Sequence, residues 1–182
     1  MESTRRRILD ATKALVIERL TRDITLAEIA AGAEVSVPTV LRAFGSRANL
    51  IAAAEDALRH DVRDHRDVAP PGDTNVALVV LYDMYEQWGD LAILRLAEEA
   101  GRPEMTAMLD EGRANHRGWV TRVFAPQLRG RTARARKRTV NALVVATDVY
   151  TWKLLRRDFG LDRHEAQATV RLLVDALLDE RS

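Results

Sequence analysis

Two helix starts set close together constrain this chain more than any other feature. In "LAEIAAGAEVSVPTVLRAFGSR", residues 26–47, the preceding Thr25 opens a capping box with Glu28. The Thr25 hydroxyl accepts from the Glu28 amide, and the Glu28 carboxylate reaches back. Ser36 is a second N-cap, and Pro38 falls in the first turn, where a missing N–H costs nothing. Each helix is shorter than the roughly 12–15 residues that hold an isolated helix in water, so both must be held by packing. The brace is a helix over Ser3 to Leu20, striped with Ile8, Leu9, Ala11, Thr12, Leu15 and Val16. Three helices, the last two forming a helix-turn-helix, are the expected unit.

The third helix sorts its residues by face. Val37, Val40, Leu41 and Phe44 recur at helical spacing and are expected to pack on Ile29 and Ala30. Pro38, Thr39, Arg42 and Ala43 remain on the other side. A face of small residues, one hydroxyl and one arginine fits a DNA major groove. Thr25 and Ser36 at helix starts, and Arg47 at the start of the next helix, are the expected phosphate contacts, with Val37 beside them. The geometry alone leaves open a helical hairpin that serves only packing.

Ser46 caps a fourth helix through Val62, and "RDHRDVAPPGD" then reads as a charged, Pro/Gly-rich boundary. A long apolar helix from Thr74 follows, with a bend expected near Gly89. Two shorter helices are expected over Pro103 to Pro126, a long one over Arg131 to Phe159, and a last one from the Asp162 cap to Arg181. No alternating strand pattern appears. The reading is all-α: a helix-turn-helix domain over 1–47, a connecting helix and loop over 48–73, and a helical bundle over 74–182.

Composition narrows the function classes. The 182 residues include no cysteine, which excludes disulfides and thiolate metal sites. The formal net charge of +1 excludes a chain that binds polyanions by overall charge. No apolar run suits a signal peptide or a membrane span, so a soluble cytoplasmic protein without membrane contact is expected. His60, His65, His116 and His164 form no HExxH or paired ExxH pattern, and no GxSxG, P-loop or GxGxxG occurs. Neither an enzyme nor a cofactor site is expected.

Residues 5–50 resemble the DNA-binding domain of the TetR (tetracycline-repressor-like) family of bacterial regulators. The family pattern is met at Thr25, Ile29, Ala30, Ala33, Val35, Ser36, Thr39, Phe44, Ser46 and Leu50, with Ile8-Leu9-x-Ala11 upstream and Arg47 in place of a lysine. Three departures stand out. Glu34 occupies the turn glycine, which implies a left-handed non-glycine residue at about 1 kcal/mol. Pro38 replaces another glycine, and Leu41 and Ala43 replace the two aromatic residues that touch phosphates in the family. Leu41 is expected in the core.

The resemblance implies a ligand-responsive repressor that binds a palindromic double-stranded DNA operator as a homodimer, with residues beyond about 74 for dimerisation and effector binding. A helix-turn-helix that reads a palindrome independently needs two copies about 34–36 Å apart. Leu143, Thr147, Tyr150, Val170, Leu173, Val174 and Leu177, with Val144, Leu154 and Leu178, are the expected interface, although the same stripes suit an intramolecular core. Tyr85, Trp88, Met108, Trp119 and Trp152 are the candidate walls of an effector pocket, joined by Tyr82, Met105, Phe124, Asn115 and His116. Arg129 to Arg138 carries the densest positive run; a solvated helix face is the plainer reading beside a second nucleic-acid patch. The alternative for the whole chain is a helical small-molecule-binding protein without DNA function.

Overall fold

The computed structural model describes residues 2–99 and 103–179, the side chains of 103–105 excepted. Among the described residues all regular structure is helical: α1 (Glu2–Glu18), a 3-10 turn (Thr21–Asp23), α2 (Leu26–Gly32), α3 (Val37–Phe44), α4 (Arg47–Asp67), α5 (Thr74–Ala97), α6 (Pro103–Val123), α7 (Ala133–Ala146), α8 (Val149–Lys153) and α9 (Arg163–Asp179). None is long and apolar enough to cross a membrane. Two compact units, Met1–Arg63 and Asp64–Ser182, divide the chain, and the division falls inside α4.

Burial holds the first unit together. Ile8, Thr12 and Val16 form one buried stripe of α1, against Ile29 and Ala30 of α2 and Val40 and Phe44 of α3. Thr12 is polar within this core, and its hydroxyl is satisfied by the Ile8 carbonyl at 2.7 Å. Gly32 lets α2 approach α1, since a Cβ there would sit 3.4 Å from that of Ala11. Leu50, Ile51, Ala54 and Leu58 close the core from α4. Leu41 departs from expectation: it is 39 % exposed because the buried stripe of α3 is only wide enough for Val40 and Phe44.

The second unit is built around α5, whose buried residues surround the helix and not just one stripe: Ala77, Leu78, Val80, Leu81, Tyr82, Met84, Tyr85, Trp88 and Gly89. A helix buried on most sides must be central, and α5 indeed packs against α6, α8 and α9. Trp119, Val120, Val123, Phe124 and Leu128 complete the interior from α6 and the turn after it.

Three sequence expectations are corrected here. Gly89 interrupts nothing, since α5 runs through it; the glycine makes room for the Trp152 ring, which would lie 2.6 Å from an added Cβ. One helix, α6, spans the region expected to hold two, with Gly112 inside it and no neighbour within 4 Å of an added Cβ. The long helix expected over 131–159 is broken at Thr147 and Asp148. Thr147 ends α7, and the Asp148 carboxylate accepts from the Tyr150 amide at 2.9 Å to start α8. A wider turn then follows over Leu154–Asp158, where the Phe159 amide donates to the Leu154 carbonyl at 2.9 Å. Asp162 starts α9 as expected, accepting from the Glu165 amide at 2.8 Å; the end expected at Arg181 lies outside the described residues.

That broken segment is tied to α5 by charge. The Arg156 guanidinium donates to both Glu86 oxygens at 2.7 and 2.8 Å, and Arg157 does the same to Asp90 at 2.9 and 2.8 Å. Trp152 donates its indole N–H to Glu86 at 3.0 Å, and Arg157 covers its ring at 4.5 Å. With the ring so fixed, Gly89→Ala is expected to destabilise the protein by about 1–3 kcal/mol through overpacking. Urea unfolding of the variant against the parent protein measures it.

Candidate nucleic-acid interface

Capping and a strained turn fix the orientation of α3. The Thr25 hydroxyl accepts from the Glu28 amide at 3.2 Å and donates to the Glu28 carboxylate at 2.7 Å; the Thr25 amide donates to the same carboxylate at 2.8 Å. Arg19 adds a 2.8 Å ion pair. The Thr25 hydrogen bonds, more than Arg19, hold the Glu28 carboxyl down to about 2. Glu34 then turns the chain with φ of 54°, among the described residues the one non-glycine in the left-handed region. Gly45, at φ 78°, ends α3 and donates to the Leu41 carbonyl at 2.7 Å.

The outer face of α3 carries a short polar chain. Ser36 Oγ and Thr39 Oγ1 lie 2.9 Å apart, and Arg42 donates to Thr39 Oγ1 at 3.1 Å. Pro38 and Arg42 are exposed, Val37 and Thr39 half-buried. Arg47 points elsewhere: it donates to the Ile24 carbonyl at 2.6 Å and to the Thr21 carbonyl, bracing the turn before α2. Arg5 was not singled out in the sequence, yet it holds α1 to the end of α3. Its guanidinium bonds the Ala43 carbonyl and lies 4.0 Å over the Phe44 ring. The only signal for it is the run Arg5-Arg6-Arg7.

Residues 8–54 match the family model of the bacterial regulatory proteins, tetR family. These residues are a tetR-family domain. The likeness extends over the fold of both units. A tetR-family transcriptional regulator from Streptomyces coelicolor is similar at a TM-score of 0.73 and 18 % identity, over 97 % of this chain and 81 % of that one. A chain from Pseudomonas aeruginosa PAO1 assigned as a transcriptional regulator is similar at 0.66 and 15 %, over 97 % and 90 %. No curated protein sequence matches this chain. The fold is shared with that solved tetR-family transcriptional regulator, and the matched domain places a helix-turn-helix at the N-terminus.

Beyond the tetR-family domain, the structure gathers several candidate ligand residues and disperses others. Tyr85 donates to the Thr147 carbonyl at 2.9 Å, so Thr147, expected at a dimer interface, lies inside this unit. The Thr147 hydroxyl lies 3.2 Å from His116 Nε2 and donates to the Leu143 carbonyl at 2.7 Å. Trp119 stacks on His116, with ring centroids 6.1 Å apart. Trp88 meets His65 edge-on at 5.5 Å, and Trp152 is taken up by Gly89 and Glu86. Met108 is half-buried on α6, and Met105 lies outside the described side chains. Of the expected dimer residues, Leu143, Val170 and Val174 are buried in this unit and Leu177 is half-buried. Tyr150 and Leu173 are 56 % and 44 % exposed.

Sequence reasoning missed Arg66. It sits on the last turn of α4, within the stretch taken as a boundary, and donates to His116 Nδ1 at 2.7 Å. Burial, with the Arg66 cation second, pushes the His116 imidazole down to about 3 from an ordinary 6.5. An unfolded chain therefore takes up this proton near the ordinary value, while the folded chain does not. The stabilisation is fully present above pH 6.5 and is lost as pH falls toward 3. His116→Gln is expected to flatten the loss of urea midpoint between about pH 7 and pH 5. In the tetR-family domain, Glu34→Gly relieves the left-handed strain and is expected to raise stability by up to about 1 kcal/mol in the same assay.

Proposed function

We propose that this chain is a ligand-responsive repressor that binds a palindromic operator as a homodimer. The observation that carries it is the outer face of α3, where Pro38 and Arg42 are exposed beside Thr39 on a tetR-family domain. A short helix with a clear face and an extended guanidinium reads base edges in a major groove. Val37, Pro38, Thr39 and Arg42 meet bases and the adjoining backbone; Thr25 and Ser36 flank them at the phosphates. Arg47 supports the same surface by bracing the turn that precedes α2.

Pairing of two copies falls to the exposed apolar residues of the C-terminal unit, Tyr150 and Leu173 among them, with Val145, Leu154 and Leu172 alongside. Two such heads one helical turn apart match a palindrome. Ligand binding in the C-terminal unit changes the head spacing through α4, which runs from the Ser46 cap to Asp67. The shift requires a ligand that favours one spacing over the other.

The test is titration of the purified protein against duplex DNA from its own upstream region and a scrambled control, at two salt concentrations. Preferential, salt-sensitive binding by a dimer supports the proposal, and salt-insensitive or absent duplex binding overturns it. Arg42→Ala is expected to cost about 1–3 kcal/mol on the preferred duplex and much less on the scrambled one. Equal losses on both make Arg42 a phosphate contact.

A further inference from the structure

Among the described residues, no carboxylate pairs directly with the buried cation of Arg66. It is 9 % exposed, and the group that accepts from it is a neutral imidazole, that of His116. Its Nε is buried with no hydrogen-bond partner. Asp67 acts on Arg66 only through space, since its carboxylate pairs directly with Arg122 at 2.5 Å; Glu98 pairs with Arg95 at 2.8 Å, and Asp148 caps α8. The adjacent His65 also has a buried ring nitrogen, Nε2, without a partner. Buried charge left uncompensated is costly, and folded proteins rarely keep one for packing alone.

The surroundings are aromatic. The guanidinium carbon lies 4.9 Å from the Trp119 ring centroid, and the Trp119 indole N–H donates back to the Arg66 carbonyl at 3.2 Å. His116 stacks on Trp119, Phe124 meets it edge-on, and Trp88 lies against His65. We propose that this cluster binds a small organic acid, its carboxylate paired with Arg66 and its apolar or aromatic body among the Trp119, Tyr85 and Trp88 rings. The Nε–H of Arg66 lacks an acceptor, and a carboxylate oxygen can supply one as a charge-assisted hydrogen bond. Walls of indole and phenol suit an apolar body and disfavour a sugar or a polyphosphate. A site built around a bare charge should also reject the neutral isostere, which leaves that charge unpaired.

The site deepens the ligand-responsive reading above and rests on it only for the consequence at DNA. The experiment titrates the full chain, at about pH 7.5, with benzoate, phenylacetate and octanoate and with their three amides, followed by tryptophan fluorescence and calorimetry. At least one acid is expected to saturate and to bind at least about tenfold tighter than its amide. Arg66→Gln is expected to erase that preference. If this variant fails to fold by circular dichroism, Arg66→Lys, which keeps the charge and loses the flat edge, is expected to weaken the acid and leave the amide unchanged. No preference for any acid in the parent protein overturns the site, as does a full preference retained in whichever of these variants folds. Duplex binding is measured separately. Acid binding that leaves duplex affinity unchanged overturns ligand response and spares the site; intact duplex binding without acid preference overturns the site alone.

Discussion

The seven residues of α2 and the eight of α3 are too few to stay helical by their own hydrogen bonds, so everything presented on α3 depends on the stripe Ile8, Thr12 and Val16 beneath them. That stripe sets where α3 lies, and local devices set its rotation. Ser36 starts the helix, Gly45 ends it, and Arg5 ties its Ala43 carbonyl to α1. Once Val40 and Phe44 are buried, Pro38 and Arg42 have no choice but to face outward. The chemistry of the outer face is thus a consequence of packing on the inner one.

The same logic separates the two units. In the first, the paired charges lie at or near the surface: Glu28 with Arg19, and Lys13 with Asp61. In the second, charge also enters the interior. Arg95 and Glu98 neutralise one another there, and Glu86 with Arg156 and Asp90 with Arg157 tie the broken α8 segment to α5. Arg66 is different in kind, because its neighbours are rings and a neutral imidazole. A hydrophobic residue of similar size would suit those rings at lower cost.

Most of the first unit was legible in the sequence because its determinants are local. The capping box, the Ser36 cap, the proline in the first turn and the left-handed Glu34 each act within a few residues, and each is present in the structure. The second unit was legible as helices and illegible as arrangement. Gly89 reads as a bend along the chain, and only the Trp152 ring, 63 residues on, shows why a glycine is there. The break at Asp148 hides inside a run of helix formers, since a single aspartate marks it. Leu41 fits the apolar period of α3 as well as Val40 does, and nothing in the period tells which of the two the neighbours will cover.

Arg66 was the hardest residue to see, for a physical reason. Basic residues near a Pro/Gly-rich stretch are ordinarily solvated, and its neighbours Arg63 and Asp67 are indeed exposed. It is buried because α4 continues past Val62 to Asp67, which carries it among side chains 50 and more residues away. One helix therefore begins at the Ser46 cap, directly after α3, and carries Arg66 in its last turn. On the proposed reading, an anion that neutralises Arg66 acts on the last turn of the helix whose first turn follows directly from α3.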